Sequence, residues 1–552
     1  MIKYLFNLCI ILLLTGACKK SKEPITPPLN NFAFTSVSVD GKTNANLNFA
    51  DVSANTEVKI TFNEAVNPAS LPNNILFNES GGAGISFSTS FENNNTILVI
   101  KPTVALSSFK SFTVTVSNIK SASGAILQNS VTLTLKTGLD LTDKFPIISD
   151  DELLTVVQKQ TFKYFWDFGH PVSGLARERD SSGDLVTSGG SGFGIMAILV
   201  GINRQFISRA EGLARLQKIT GFLKNNAQTF HGAFPHWLNG ATGAVIPFSA
   251  KDNGADLVET SYLMQGLLTA RQYFNAADVN EKALRDDINT LWNAVEWAWF
   301  RKNNENVLYW HWSPNYNWDM NQKVQGWNEA LITYVLASSS NTYGVPKAVY
   351  DEGWAKNDAI KNGNAYYETV LPLGPANGGP LFFAHYSFLG INPTGLTDGY
   401  ANYETQNKSH TIINYKYCVA NPKGFLGYSD KCWGLTASDD PNGYLAHEPN
   451  NDNGVISPTA ALSSFPYTPV ESTKALKFFY YKLGDKIFKT YGFVDAFSLQ
   501  TGWFANSFLA IDQGPIIIMI ENHRTGLLWN LFMSCPEVKT GMKNIGFQSP
   551  NL

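Results

Sequence analysis

The chain has 552 residues, with 42 Lys and Arg against 45 Asp and Glu and a net charge of -3. That length allows two or three domains, and so even a charge balance offers no basic face for nucleic acid. Only 16% of residues are charged while 13% are aromatic, including 13 Trp and 22 Tyr, which suits a neutral ligand with C–H faces better than an anion.

At the N-terminus Lys3 precedes an apolar run, Leu5 to Leu14, and then the small residues Thr15-Gly16-Ala17. This pattern predicts a signal peptide over residues 1–18, too short for a membrane span. Leu14-Thr15-Gly16-Ala17-Cys18 resembles a lipobox, which implies a lipid on Cys18 and an anchor in the bacterial cell envelope. The outer membrane is the expected address, facing the periplasm or the cell surface; an ordinary secretory signal is the alternative. Residues 19–32 are polar and Pro-containing and are expected to be a tether. Cys418, Cys432 and Cys535 lie in no metal-ligand spacing, so buried thiols are expected, with a Cys418–Cys432 disulfide as the alternative.

Residues 33–138 alternate apolar and β-branched positions, as in Phe34-Thr35-Ser36-Val37, Glu57-Val58-Lys59-Ile60-Thr61-Phe62 and Val131-Thr132-Leu133-Thr134-Leu135. Asn, Gly and Pro clusters between such runs predict a small β-sandwich. Ile60-Thr61-Phe62-Asn63-Glu64-Ala65-Val66-Asn67-Pro68 resembles the opening of bacterial Ig-like domains. With no titratable constellation in it, a spacer or docking module is expected, joined by a linker over 139–149.

Over 150–552 the period becomes helical. Asp150-Asp151-Glu152 forms an acidic first turn for a helix reaching Phe168. Further helices are predicted over 194–206, 209–227, 257–274, 282–300, 325–338, 350–361, 403–419, 470–481 and 516–524, the last opened by Pro515. About a dozen helices joined by aromatic loops suggest an all-α (α/α)6 barrel with a cleft at one end. A superhelical array would need a fixed repeat, which the sequence lacks.

Several clusters in this region carry chemistry. Gly189-Gly190-Ser191-Gly192-Phe193-Gly194 has the glycines of a phosphate loop but no Lys and no preceding strand; it is expected to let backbone approach a sugar or a neighbouring helix. His236 and Trp237, then Trp310, His311 and Trp312, sit in aromatic loops; the rings would stack on sugar faces and the imidazoles bond hydroxyls, unless the rings merely pack the loops. Asp252, Asp256 and Glu259 fall at i, i+4 and i+7 above an apolar stripe. Gly254 between them leaves Asp252 in the loop or the helix. Clustered acids raise one another's pKa, the condition for a general acid; helix N-terminal acids favoured by the macrodipole are the bland alternative.

Glu329 is the only ionised side chain between Lys323 and Lys347, placed in an apolar helix and expected to act. Asp439 and Asp440 precede Pro441-Asn442-Gly443, a turn, where Asp439 either activates water or forms an Asx turn. Near the C-terminus Asp512 and Gln513 lead into apolar Ile516 to Ile520, and Glu521, Asn522 and Arg524 follow; Gln513, Glu521 and Arg524 are expected to hold substrate. No cofactor motif and no metal-ligand spacing is present.

Gly189–Met196, Asp256-Leu257-Val258-Glu259-Thr260, Gly326-Trp327-Asn328-Glu329, Trp433–Asp439 and Asp512–Arg524 together resemble the glucoamylase-like domain of bacterial β-1,2-glucanases, glycoside hydrolase family 144. The resemblance runs from about Leu154 to Phe547. It implies an (α/α)6 hydrolase of β-1,2-glucan acting with inversion and without metal, endo-acting or sophorose-releasing. The family's important acids correspond to Asp252, Asp256, Glu259 and Glu329. In related fungal enzymes the acid equivalent to Glu329 protonates the leaving oxygen through a substrate hydroxyl. The base is expected in the Asp252–Glu259 cluster ahead of Asp439. A glucanase for another linkage, such as α-1,4-glucan, and a non-catalytic glycan-binding lipoprotein are the alternatives.

Overall fold

Alternation builds the first part of the chain. The computed structural model describes residues 31–552, which divide into two units at Asp140 and Leu141. The predicted signal peptide, Cys18 and nearly all of the tether lie outside these residues. In the first unit β1 (Phe34–Val39), β2 (Lys42–Thr43), β4 (Val58–Phe62), β6 (Phe87–Glu92) and β7 (Ile97–Pro102) form a sheet in the order β2-β1-β4-β7-β6. The facing sheet, β3-β9-β8-β5, uses β3 (Asn48–Val52), β5 (Ile75–Glu79), β8 (Ser111–Val116) and β9 (Val131–Thr137). Val58, Ile60 and Phe62 from one sheet and Phe112, Val114, Val116, Val131, Leu133 and Leu135 from the other share a single core. This is a β-sandwich, as the period-two pattern predicts.

The second unit is mostly helical. Its helices are α1 (Asp150–Trp166), α2 (Ser188–Asn203), α3 (Arg209–Asn225), α4 (Leu257–Tyr273), α5 (Val279–Ala294), α6 (Leu331–Ser339) and α7 (Tyr403–Ala420). After these come α8 (Pro458–Leu462), α9 (Pro469–Lys477), α10 (Gly484–Ile487), α11 (Ala510–Thr525), α12 (Leu527–Met533) and α13 (Pro536–Asn544). Side-chain caps start several of them: Ser149 with Glu152 and Ser208 with Glu211 form capping boxes, and Asp256 caps α4. Residues 188–202 of α2 and 257–270 of α4 are buried throughout, as is most of α11, whereas α3, α5 and α13 bury one face.

Glycine sets how closely the buried helices approach. A Cβ on Gly192 would overlap the Tyr262 carbonyl of α4, and one on Gly266 would overlap the Gly192 carbonyl. The glycine-rich stretch is therefore the first turn and a half of α2, packed on its neighbour, and the helix starts six residues before the predicted Gly194. Each glycine costs about 1 kcal/mol of helix propensity, which close packing offsets.

Other boundaries also move. α11 begins at Ala510 because the Ala510 N–H donates to the Glu178 carbonyl and both Asp512 and Gln513 N–H groups bond Leu509 O. Pro515 thus lies inside the helix, and only its missing bond to Ile511 is forfeited. The predicted helix over 325–338 shortens to α6, with Glu329 in the turn before it. The predicted 350–361 helix is one wide turn, Val349–Trp354. Asp439 belongs to a hairpin strand, Ala437–Asp440, paired with Gly443–Ala446 around Pro441-Asn442. Helices α8, α10, α12 and α13 escaped prediction, being four to nine residues long. Cys418, Cys432 and Cys535 are buried free thiols, so the alternative disulfide is not formed.

Gly192→Ala forces α2 and α4 apart. Overpacking of this kind costs roughly 1–3 kcal/mol, so thermal unfolding should shift down while the same change at Gly221, whose Cβ would meet nothing within 4 Å, should not lower the midpoint. An unchanged midpoint for Gly192→Ala would show that the helix contact is compliant.

Candidate active site

Two groups of carboxylates face one cleft. The first is organised by the start of α4. Asp256 is fully buried; its Oδ1 accepts the N–H groups of Val258 (3.0 Å) and Glu259 (2.9 Å). Its Oδ2 lies 3.2 Å from His236 Nδ1 and accepts the Trp310 indole N–H at 3.2 Å, with His311 Nε2 at 3.6 Å. Burial opposes its charge, but the His236 bond and the two imidazoles hold its pKa below the usual carboxylate value. Glu259, on the next turn, accepts the Gly189 N–H (2.9 Å) and the Thr187 hydroxyl (3.3 Å). It therefore caps α2 from the neighbouring helix. Burial, and then Asp256, raise its pKa against the pull of His236.

Asp252 lies in the loop before α4, not on its face, and its Oδ2 has no hydrogen-bond partner and sits 3.5 Å from His311 Nε2. Burial and the Asp256 charge push its pKa to about 7. His236 goes the other way: burial disfavours its charge, yet Glu259, Asp256 and Asp252 bring it to about 9. Glu329 completes the group from the turn before α6. It is only partly covered by surface area, yet it stands in a recess whose walls raise its pKa to about 7, burial first and then Glu259 and Asp256. The Tyr262 hydroxyl (3.3 Å) and Ser387 Oγ both donate to the Glu329 carbonyl and so hold this turn.

The second group is Asp439, Asp495 and Asp512. Arg179 Nη1 donates to Asp439 Oδ1 at 3.2 Å while its Nε bonds Glu178. Ser507 Oγ also donates to Asp439, and the Asp439 N–H donates to Asp495 Oδ2 at 2.6 Å. Asp495 Oδ1 and both Asp512 oxygens are buried without protein donors. Burial, then Asp439, raises Asp495 to about 7, and burial, then Asp495, raises Asp512 well above its usual value. Adjacent carboxylates cannot all ionise, so the pair shares a proton. Tyr386 lies between the groups, under the influence of both Asp512 and Glu329 and packed on Tyr262 with ring centroids 5.8 Å apart.

A cavity of about 390 Å³ opens beside His236 and Thr187, which bond Asp256 and Glu259; Glu178, Arg179, Trp237, Phe248 and Tyr444 also line it. Phe248 stacks on His236 (4.3 Å) and lies edge-on to Trp237 (4.7 Å). The buried indole N–H of Trp237, like Asp252 Oδ2, has no partner in the protein. Unpaired buried polar atoms beside exposed rings fit a ligand rich in hydroxyls. His236, Asp252 and Asp256 offer ligand atoms within 4.8 Å of one another, but Asp256 Oδ2 already holds His236 and Trp310, which a cation would displace.

Of the residues singled out in the sequence, Asp252, Asp256, Glu259, Glu329, His236, Trp237, Trp310 and His311 come together, and Asp439 joins the second group. Three expectations need correction. Glu521 and Arg524 lie nine and twelve residues beyond Asp512, roughly 13–18 Å along the helix. There Glu521 is fully buried against Arg204 (2.7 Å), Asn203 and Gln158, and Arg524 bonds Gln158 and Asp151; both fasten α1 and α2 to α11 rather than face the cleft. Gln513 donates to the Phe493 carbonyl, and only its Oε1 is unpaired. Trp312 packs on His231 (5.1 Å) and Trp299 (6.5 Å), on the other side of the strand from His311. Asp495, Asp512 and Arg179 escaped the sequence analysis as site residues. Asp495 carried a signal: it is the only charged residue between Lys489 and Asp512.

Residues 321–536 match the family model named Glycoamylase, and residues 34–137 match the bacterial Ig-like domain. The structure resembles the endo-β-1,2-glucanase from Chitinophaga pinensis in its sophorotriose and glucose complex, 55% identical with a TM-score of 0.72, over 74% of this chain and 100% of that one. A β-1,2-glucanase from Parabacteroides distasonis is 39% identical with a TM-score of 0.71, over 94% of this chain and 73% of that one. The exo β-1,2-glucooligosaccharide sophorohydrolase (non-reducing end) of the same species is 48% identical over 420 residues; the match spans 72% of this chain and 58% of that protein.

Asp252 binds its proton more tightly folded than unfolded, so its contribution to stability is present below about pH 4 and lost as pH rises through about 7. Asp252→Asn removes that loss. Its unfolding midpoint, relative to the unsubstituted protein, should be more favourable at pH 8 than at pH 4; a difference independent of pH would mean that Asp252 ionises freely.

Proposed function

The chain belongs to glycoside hydrolase family 144, and from that premise we propose that it hydrolyses β-1,2-glucan with Glu329 as the proton donor. The observation that carries this is Glu329 itself, a carboxyl recessed beside Glu259 and Asp256 whose pKa of about 7 keeps it partly protonated at neutral pH. The β-1,2 linkage comes from the relatives, and the rings of the cavity, Trp237, Phe248 and Tyr444, suit a sugar chain. Glu329 gives its proton to the glycosidic oxygen, directly or through a substrate hydroxyl, as the C1–O bond breaks. Water attacks C1 from the opposite face and loses its proton to the Asp439–Asp495–Asp512 group, across Tyr386 from Glu329. Asp252, Asp256 and Glu259 flank Glu329 itself, so they suit tuning of its pKa better than the opposite face. A donor and an acceptor on opposite sides of the bond invert the anomeric centre.

The same reading arranges the helical unit as an (α/α)6 double ring, with α2, α4, α6 and α11 inside and amphipathic helices outside. It takes 33–138 as a spacer or docking module and 139–149 as the linker. It also places the protein on the bacterial envelope through a lipid on Cys18.

Three experiments test this. Glu329→Gln should lower kcat by ~10²-fold or more while oligosaccharide still binds, and the unsubstituted enzyme should lose activity as pH rises through about 7; near-normal turnover by the variant would move the acid to Asp252 or Glu259. Among linear β-1,2-glucan, laminarin, cellulose oligomers and starch, only the first should be cleaved well, and NMR should detect the α-anomer first. Preference for starch would overturn the linkage, and a first-formed β-anomer would overturn inversion. Cys18→Ala should move the protein from the membrane fraction to the soluble one; a soluble parent protein would end the lipid proposal.

A further inference from the structure

The β-sandwich leaves one sheet edge open. An edge strand exposes unpaired N–H and C=O groups that invite another strand, and folded proteins shorten, bend or cover such edges. Three of the four edges here are treated in this way. β2 has only two residues. β3 is irregular, with a register shift between Phe49 and Val52 and Asp51 at φ +55°. β5 is covered by the chain that follows it: the Ile85 N–H donates to the Phe77 carbonyl (2.7 Å) and the Glu79 N–H to the Ala83 carbonyl (3.2 Å). β6 is the exception. Among the described residues it pairs only with β7, in unbroken register over its whole length. Between Phe87 and Phe91 it carries no charge, no proline and no bulge.

The ladder fixes which groups of β6 are free. The Ser86 carbonyl accepts the Thr103 N–H at 3.0 Å. Ser86, Ser88 and Ser90 therefore turn their backbone groups toward β7, and Phe87, Thr89 and Phe91 turn theirs outward. The side chains of these last three share one face. With Pro68, Leu71 and Ile75 they line a groove of about 450 Å³ that no charged residue borders. Thr89 is exposed, and the two rings are half-buried. This pattern is its own complement. Laid antiparallel on a second β6 with Thr89 opposite Thr89, Phe87 of each copy faces Phe91 of the other. Every outward N–H then meets an outward C=O, which makes about six hydrogen bonds. Aromatic pairs across strands add to such a contact. On the other face Ser88 meets Ser90 and Glu92 meets Ser86, so no like charges are opposed. A strand of unrelated sequence could use the same backbone groups but would lack this two-fold match.

We propose that the β6 edge is a homodimer interface, through which two copies of this chain join their five-stranded sheets across a two-fold axis at Thr89. The dimer goes beyond the hydrolase reading and does not rest on it. It gives the β-sandwich unit a partner, which is a second copy of itself.

Sedimentation of the full chain over a range of concentrations tests this. The unsubstituted protein should pass from monomer to dimer as its concentration rises. Thr89→Pro removes an outward N–H that no strand of the same copy uses, and proline is tolerated at such an edge position. Loss of the bonds at the axis should raise the dissociation constant roughly 10-fold or more, while the unfolding midpoint of dilute protein changes little. Thr89→Lys leaves the backbone intact and sets like charges opposite each other, so it should weaken the dimer as well. Thr89→Val, which keeps the N–H and adds no charge, should dimerise as the parent does. A monomer at every concentration would overturn the proposal, whether or not the groove takes up another strand or a sugar. A dimer indifferent to both Thr89→Pro and Thr89→Lys would also overturn it.

Discussion

The contact of α2 with α4 at Gly192 and Gly266 decides where the acids stand. With no side chain between them, the helix backbones approach closely enough for Glu259 of α4 to reach the Gly189 N–H of α2. A carboxylate buried without donors would be expensive. Here the free N–H groups at two helix starts, Gly189 for Glu259 and Val258 with Glu259 for Asp256, supply them. The same backbone geometry that closes the core thus holds charge at its rim.

The neighbouring acids inherit the consequence. Asp256 is well supplied with donors and stays ionised, and its charge helps to keep protons on Asp252 and Glu329. The environment thereby separates carboxyl groups of one chemical type into a charged set and a protonated set, the condition for acid and base work at one pH. Across the cleft Arg179 plays the corresponding part. It bonds Asp439, while burial keeps protons on Asp495 and Asp512.

α11 ties this arrangement to the rest of the helical unit. Its first turn carries Asp512 to the cleft, while its last two turns bury Glu521 and Arg524 in bonds to α1 and α2. One helix therefore presents polar groups at both ends for opposite reasons, one set unpaired and one set fully paired.

Sequence by itself determined the β-to-helix change after residue 138, the buried helix after Asp512 from its unbroken apolar run, and the isolation of Glu329 among uncharged neighbours. Those are local properties: periodicity, composition and the spacing of charge. It placed the Asp252–Glu259 acids near a helix start and left Asp252 open between loop and helix, but missed that Asp256 caps the helix. Only the tertiary structure decided which polar groups share a cleft. Asp439, Asp495 and Asp512 come from a hairpin, a loop and a helix, and Arg179 lies 260 residues before the aspartate that it bonds. Glu521 and Asp512 flank the same apolar run, and the run is the same from either end. Which end lies among other carboxylates and which meets Arg204 depends on the helices packed around it, because a carboxylate's role follows from the donors and charges within a few ångströms, and packing brings those together.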